Sequence, residues 1–150
     1  MLRSDVLGSR KRSAPEGTSK PLMWSSPLVN YDDRLLCHLQ RTLGDDGQER
    51  LRAVYFGPGR CHLTDETVAG GGMGSLRLRF RPIAERALRL GASGLLLAHN
   101  HPSGICRPSE ADIATTRHVA RIAASLDIQL LDHLIITPGR AYSMRAGGLL

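Results

Sequence analysis

Two histidines one residue apart, a serine and an aspartate fall in the spacing His99-x-His101-x(7)-Ser109-x-x-Asp112. In extended backbone, residues two apart project to the same side, so both imidazoles can address one cation. The intervening loop, His99–Asn100–His101–Pro102–Ser103–Gly104–Ile105–Cys106–Arg107–Pro108, carries two prolines and a glycine that turn the chain back. The first turn of the following helix then faces the histidines, and Asp112 completes a three-ligand site. Two neutral imidazoles and one carboxylate suit Zn²⁺ or another borderline divalent ion, one per chain, with a fourth position open to a water whose pKa falls toward about 7. That is hydrolytic chemistry. It needs a base, and Glu49, just ahead of the first predicted strand, is the candidate, with Glu66 in reserve. Ser109 can donate to a carbonyl oxygen as charge develops there, or serve as a plain helix N-cap. Cys106, inside the loop, reads as a small semi-buried filler ahead of a redox thiol or an adventitious ligand.

These groups depend on the elements that carry them. Leu35, Leu36, Leu39 and Leu43 lie on one helical stripe, with Asp33 as N-cap and Gly44 as a stop. Leu51–Phe56 reads as a strand, Gly57–Pro58–Gly59 as a turn, and residues near Arg60–Thr64 as a second strand, making a hairpin. Gly70, Gly71, Gly72 and Gly74 lack the GxGxxG spacing of a dinucleotide loop and read as a linker or bulge. A helix is predicted over about Pro82–Leu90, stopped by Gly91. Gly94–Ala98 is apolar throughout, as a buried central strand is. Ser109–Glu110–Ala111–Asp112 resembles a capping box, opening a helix to about Ser125 whose core side takes Ile113, Val119, Ile122 and Ala123. Ile128–Leu131 and Leu134–Ile136 are apolar strand segments around the polar pair Asp132–His133. A last short strand includes Tyr142 and Met144. The remaining histidines, His38, His62, His118 and His133, read as structural or solvent-facing.

One domain over residues 31–150 fits the length, after a flexible basic tail over residues 1–30. No apolar run is long enough for a bilayer and no secretory core is present, so a cytoplasmic protein without membrane contact is expected. Three cysteines without a CxxC pair suggest reduced thiols. A net charge of +6 permits attraction to nucleic acid or acidic proteins. Arg77, Arg79 and Arg81 alternate, so extended backbone sends all three to one side, as a phosphate-facing stripe or, by preference, an ordinary solvated edge. With the basic tail they are the candidates for nucleic-acid contact.

At its histidines, serine and aspartate the sequence resembles the JAMM (MPN+, JAB) metalloprotein family, whose motif is a glutamate followed by H-x-H-x(7)-S-x-x-D. Ala98–His99–Asn100–His101–Pro102–Ser103–Gly104, Pro108–Ser109–Glu110–Ala111–Asp112 and Leu131–Asp132–His133–Leu134–Ile135–Ile136 are similar to the bacterial RadC branch, over roughly residues 33–144. The resemblance implies an α/β fold, an MPN/JAB-like (cytidine-deaminase-like) mixed β-sheet flanked by helices. It implies zinc on His99, His101 and Asp112, with Glu49 as base and Ser109 as oxyanion aid. The activity implied is a metallopeptidase or isopeptidase acting on protein or peptide. Two departures stand out: Arg79–Phe80–Arg81–Pro82 replaces a His-Pro-Arg-Glu-like approach to the middle helix, and Gly57 stands where an acidic residue is expected. Longer RadC proteins carry an N-terminal helix-hairpin-helix region for which this chain leaves little room, so a catalytic-domain-only member is expected. The alternative is a DNA-associated repair or mobile-element module with phosphate-binding arginines and a structural or nucleolytic metal.

Overall fold

An unbroken apolar run in a strand sets the architecture, because successive side chains point to opposite faces and the sheet must then be covered on both. The structure, a computed structural model, describes residues 32–43, 47–70 and 78–150 in full and the backbone of residues 23–24. The elements are β1 (Met23–Trp24), α1 (Asp33–Leu43), β2 (Arg50–Phe56), β3 (His62–Gly70), α2 (Phe80–Leu90), β4 (Gly94–Asn100), α3 (Glu110–Ala124), β5 (Gln129–Thr137) and β6 (Arg140–Ser143). They form a six-stranded mixed sheet in the order β1-β6-β5-β4-β2-β3. β4 is antiparallel to β2 and parallel to β5, and α3 makes the crossover between β4 and β5. The mixed α/β fold expected from the resemblance is present.

β4 is buried along its whole length, as its unbroken apolar run predicts. Leu95 and Leu97 pack with Phe80, Ile83 and Ala87 of α2 and Val119 and Ala123 of α3. Leu96 and Ala98 face the other way, with Val54, Leu134 and Ile136, against Leu36, Leu39 and Leu43 of α1. Each of these fully buried leucines contributes roughly 1.5–3 kcal/mol relative to exposure. The predicted α1 stripe is therefore the inner face of that helix, although Asp33 is its first helical residue and it is Asp32 whose carboxylate accepts from the Arg34 amide.

Several boundaries differ from expectation. The hairpin turn contains a 3₁₀ turn at Pro58–Arg60, and β3 runs on to Gly70. α2 begins at Phe80, which corrects the extended reading of the arginines: Arg81 lies in its first turn and donates to Glu85 at 2.9 Å, while Arg79 precedes the helix. The two apolar segments around Asp132–His133 are one strand, β5, with a register shift opposite Leu95/Leu96 that leaves Leu131 as the extra residue. Arg77, the Gly44 stop and the Gly71–Gly74 connection lie outside the described residues, as does the tail apart from Met23–Trp24, whose backbone pairs in parallel with β6.

Candidate metal centre

The site forms where β4 ends, a position at which open α/β sheets commonly bind ligands. His99 ends the face that carries Leu95 and Leu97, so its ring points to α3, and His101 follows just past the strand. Their Nε2 atoms lie 2.7 Å apart. The loop then delivers Asp112 to the same point, with Oδ1 3.6 Å from His99 Nε2 and Oδ2 3.5 Å from His101 Nε2. The ligand atoms of the three residues all lie within 4.8 Å of one another. The expected convergence of His99, His101 and Asp112 is met.

Asp112 is placed by the start of its own helix. The Ser109 hydroxyl accepts from the Asp112 amide at 3.1 Å, and the Ser109 amide and hydroxyl both donate to Asp112 Oδ2 at 2.7 Å. This is a reciprocal capping box, worth about 1 kcal/mol on its serine side. Ser109 lines the site, but its proton is engaged by Asp112, so donation to a carbonyl oxygen requires that bond to open. Burial alone would raise the Asp112 pKa; the His101 ring 3.5 Å away, the hydrogen bonds from Ser109 and the nearby His99 hold it far below the usual carboxylate range.

Both imidazoles are held in the tautomer that ligation needs. His101 Nδ1–H donates to the Ile105 carbonyl at 2.9 Å, leaving Nε2 as the lone-pair nitrogen. His99 is set by a longer chain. Thr116 Oγ1 lies 2.5 Å from the Asp112 carbonyl, which can only accept, so the hydroxyl proton points there. Thr116 Oγ1 must then accept from His133 Nδ1–H at 2.6 Å, and His133 Nε2 accepts from His99 Nδ1–H at 2.8 Å. Burial keeps both rings neutral: His99 is pushed down to about 4 and His133 well below its usual value. With His101 neutral as well, two nitrogen lone pairs face each other across 2.7 Å beside a carboxylate, an arrangement that a cation, or a proton on His101, relieves. The donor set fits a borderline divalent metal.

Glu49 is half-buried and lines one cleft with His101, Ser109 and Asp112. Its backbone is clamped on both sides by Asn100, whose Oδ1 accepts from the Arg50 amide at 2.6 Å and whose Nδ2 donates to the Gln48 carbonyl at 2.8 Å. Arg50 also reaches the Leu43 carbonyl at the end of α1. The reserve carboxylate Glu66 is committed elsewhere: it accepts from Tyr55 at 2.9 Å and faces Arg86 at 3.9 Å. Cys106 is buried, and its thiol is directed at the Ile135 carbonyl.

Sequence reasoning missed three contributors: His133, Thr116 and Asn100. From sequence, His133 reads as a structural or solvent-facing histidine. The available signals were the polar pair Asp132–His133 inside an apolar run and the amide set between two histidines.

An α/β domain with two histidines and an aspartate gathered at the end of its central strand, beside a glutamate, has the arrangement of a JAB domain. The chain belongs to the RadC-like JAB domain family, whose profile matches residues 29–149. It is 34% identical over 138 residues to a UPF0758 protein of Rhodobacter capsulatus, covering 92% of this chain and 64% of that one. A UPF0758 protein of Ralstonia nicotianae is 37% identical over 110 residues, covering 73% of this chain and 49% of that protein. One from Roseiflexus castenholzii is 38% identical over 102 residues, covering 68% and 44%. The chain thus spans about half to two thirds of the length of these relatives. Among the described residues, no helix is long and apolar enough to cross a membrane.

Proposed function

We propose that this protein is a zinc-dependent hydrolase of the JAMM type, a metallopeptidase or isopeptidase that cleaves an amide bond with water. The observation that carries the reading is the convergence of His99, His101 and Asp112 in a cleft that also holds Glu49. A zinc ion bound by those three residues supplies Lewis-acid polarisation of the carbonyl and lowers the pKa of water. The remaining work falls to the chain. Glu49 takes a proton from the attacking water and returns it to the leaving nitrogen, so that a free amine departs. Asn100 fixes the backbone from which Glu49 works, and His133 with Thr116 fixes the His99 ring. Ser109 orients Asp112, and from the lining of the same cleft its hydroxyl serves a developing oxyanion once that bond opens. The free cysteines suit a reducing, cytoplasmic setting.

The test is metal analysis of purified protein together with peptidase, isopeptidase and nuclease assays, with and without chelator. Alanine at His99, His101 or Asp112 is expected to abolish zinc binding. Glu49→Gln is expected to retain zinc and lose about 10²–10⁴-fold in turnover. Full turnover with Gln at this position overturns the assignment of the base.

A further inference from the structure

Two clefts share His101 in their linings, and each carries an arginine. The larger, about 610 Å³, is lined by Cys37, Gln40 and Arg41 of α1, the end of β4, and the β5–β6 turn. The smaller, about 320 Å³, holds Glu49, Asp112, Ile105 and Arg107. Among the described residues, the one common to both linings is His101. A chain lying through both clefts therefore passes over the ligand shared by the two. Each cleft is large enough to take a small group of side-chain size or more.

Their chemistry limits what that chain is. Arg41 and Arg107 are exposed, and neither guanidinium has an ion-pair or hydrogen-bond partner among the described residues. Among the described residues, no carboxylate lines the Arg41 cleft, and the carboxylates of the other are Glu49 and Asp112. An arginine on each flank selects negative charge on each flank. Among the described residues, no Phe, Tyr or Trp lines either cleft, so those residues offer no stacking platform of the kind found in single-stranded nucleic-acid sites. Ile105 is 63% exposed on the Arg107 side. Its carbonyl fixes His101, but its apolar side chain contributes nothing to that bond.

We propose that the two clefts bind an extended acidic peptide, with one acidic side chain on Arg41, another on Arg107, and an apolar residue against Ile105. This rests on the hydrolase reading and names the substrate class for it.

The experiment uses zinc-loaded Glu49→Gln protein, so that binding is read without turnover. Fluorescent peptides with an apolar centre and either acidic or lysine flanks are titrated by anisotropy at low and high salt, beside a thymidine oligonucleotide of equal charge. The acidic peptide is expected to bind best and to weaken with salt. Arg41→Glu and Arg107→Glu should each weaken it about tenfold, and the double reversal should switch preference to the lysine peptide. Ile105→Ser should weaken binding while zinc content stays unchanged, because the backbone carbonyl remains. Absence of charge preference, a preference that survives the double reversal, or tighter binding of the oligonucleotide overturns the proposal. Failure of the hydrolase reading shows separately, as peptide turnover in the unsubstituted protein that is absent or indifferent to chelator.

Discussion

His133, wholly buried on β5, accepts at Nε2 from His99 Nδ1–H across 2.8 Å and thereby leaves His99 Nε2 bare. A histidine that ligates a metal usually gives its second N–H to a carboxylate, a carbonyl or water. Here another neutral imidazole takes it, itself fixed by Thr116.

If that chain sets the ligand tautomer, His133→Leu should lower zinc affinity by about 10–100-fold while His99, His101 and Asp112 remain. His133→Gln, which keeps an acceptor, should recover part of the loss. Competition titration with a chromogenic chelator reads both, and equal affinity in the leucine variant and the unsubstituted protein counts against the chain.

Asn100 offers a different separation. Asn100→Ala leaves the Gln48 carbonyl and the Arg50 amide without their clamp, and Glu49 lies between them. Zinc content should be unaffected, turnover should fall about 10²-fold through misplacement of Glu49, and the Arg50 amide should exchange faster. Parallel measurement of zinc stoichiometry, kcat and hydrogen exchange checks this. Loss of zinc would assign Asn100 to the metal site instead.

Asp112 has two duties, and substitution should reveal both. Asp112→Ala removes a candidate metal ligand and one half of the capping box, whereas Ser109→Ala removes only the cap. The serine variant should lose about 1 kcal/mol and keep zinc; the aspartate variant should lose zinc as well. Urea unfolding of chelator-treated and zinc-loaded protein distinguishes the two contributions.

The metal-free protein should become less stable as pH falls through the slightly acidic range. Burial pushes His99 from 6.5 down to about 4, against the opposing pull of Asp112. Between these values the unfolded chain binds a proton that the folded chain does not, so this stability is complete above 6.5 and declines toward 4. His133, lowered in the same direction, adds to the slope, while His101, raised first by its hydrogen bond with Asp112, opposes it. Urea unfolding at several pH values should show the decline, and His133→Leu should flatten it. A flat profile in the unsubstituted metal-free protein contradicts the buried neutral histidines.

The convergence of the three candidate ligands was legible because its geometry is local. Strand alternation brings His99 and His101 together, and the Ser109–Asp112 box both starts α3 and aims the carboxylate. The α1 stripe and the buried β4 run were readable for a similar reason: a period of 3.6 or an unbroken apolar segment states which surface must leave water. Arg81 was misread because alternating arginines look the same in a solvated strand and in the approach to a helix. The helix that includes Phe80, Ile83 and Ala87 prevailed because that face packs into the core.

Residue types and spacing thus determined the order of the elements from α1 onward, the family, and the three groups that converge at the end of β4, but not β1, which falls in the stretch read as a flexible tail. Only the tertiary structure decided what supports them. Simple alternation puts Leu130 and His133 on opposite faces of β5, yet the extra residue at Leu131 resets the strand, so that both face α3 and His133 reaches His99. The Asn100 clamp likewise depends on the antiparallel register that sets Leu51 opposite His99. Such contacts join residues distant in the chain, and a bulge or a register, unlike a helical turn, is chosen by packing across the whole sheet.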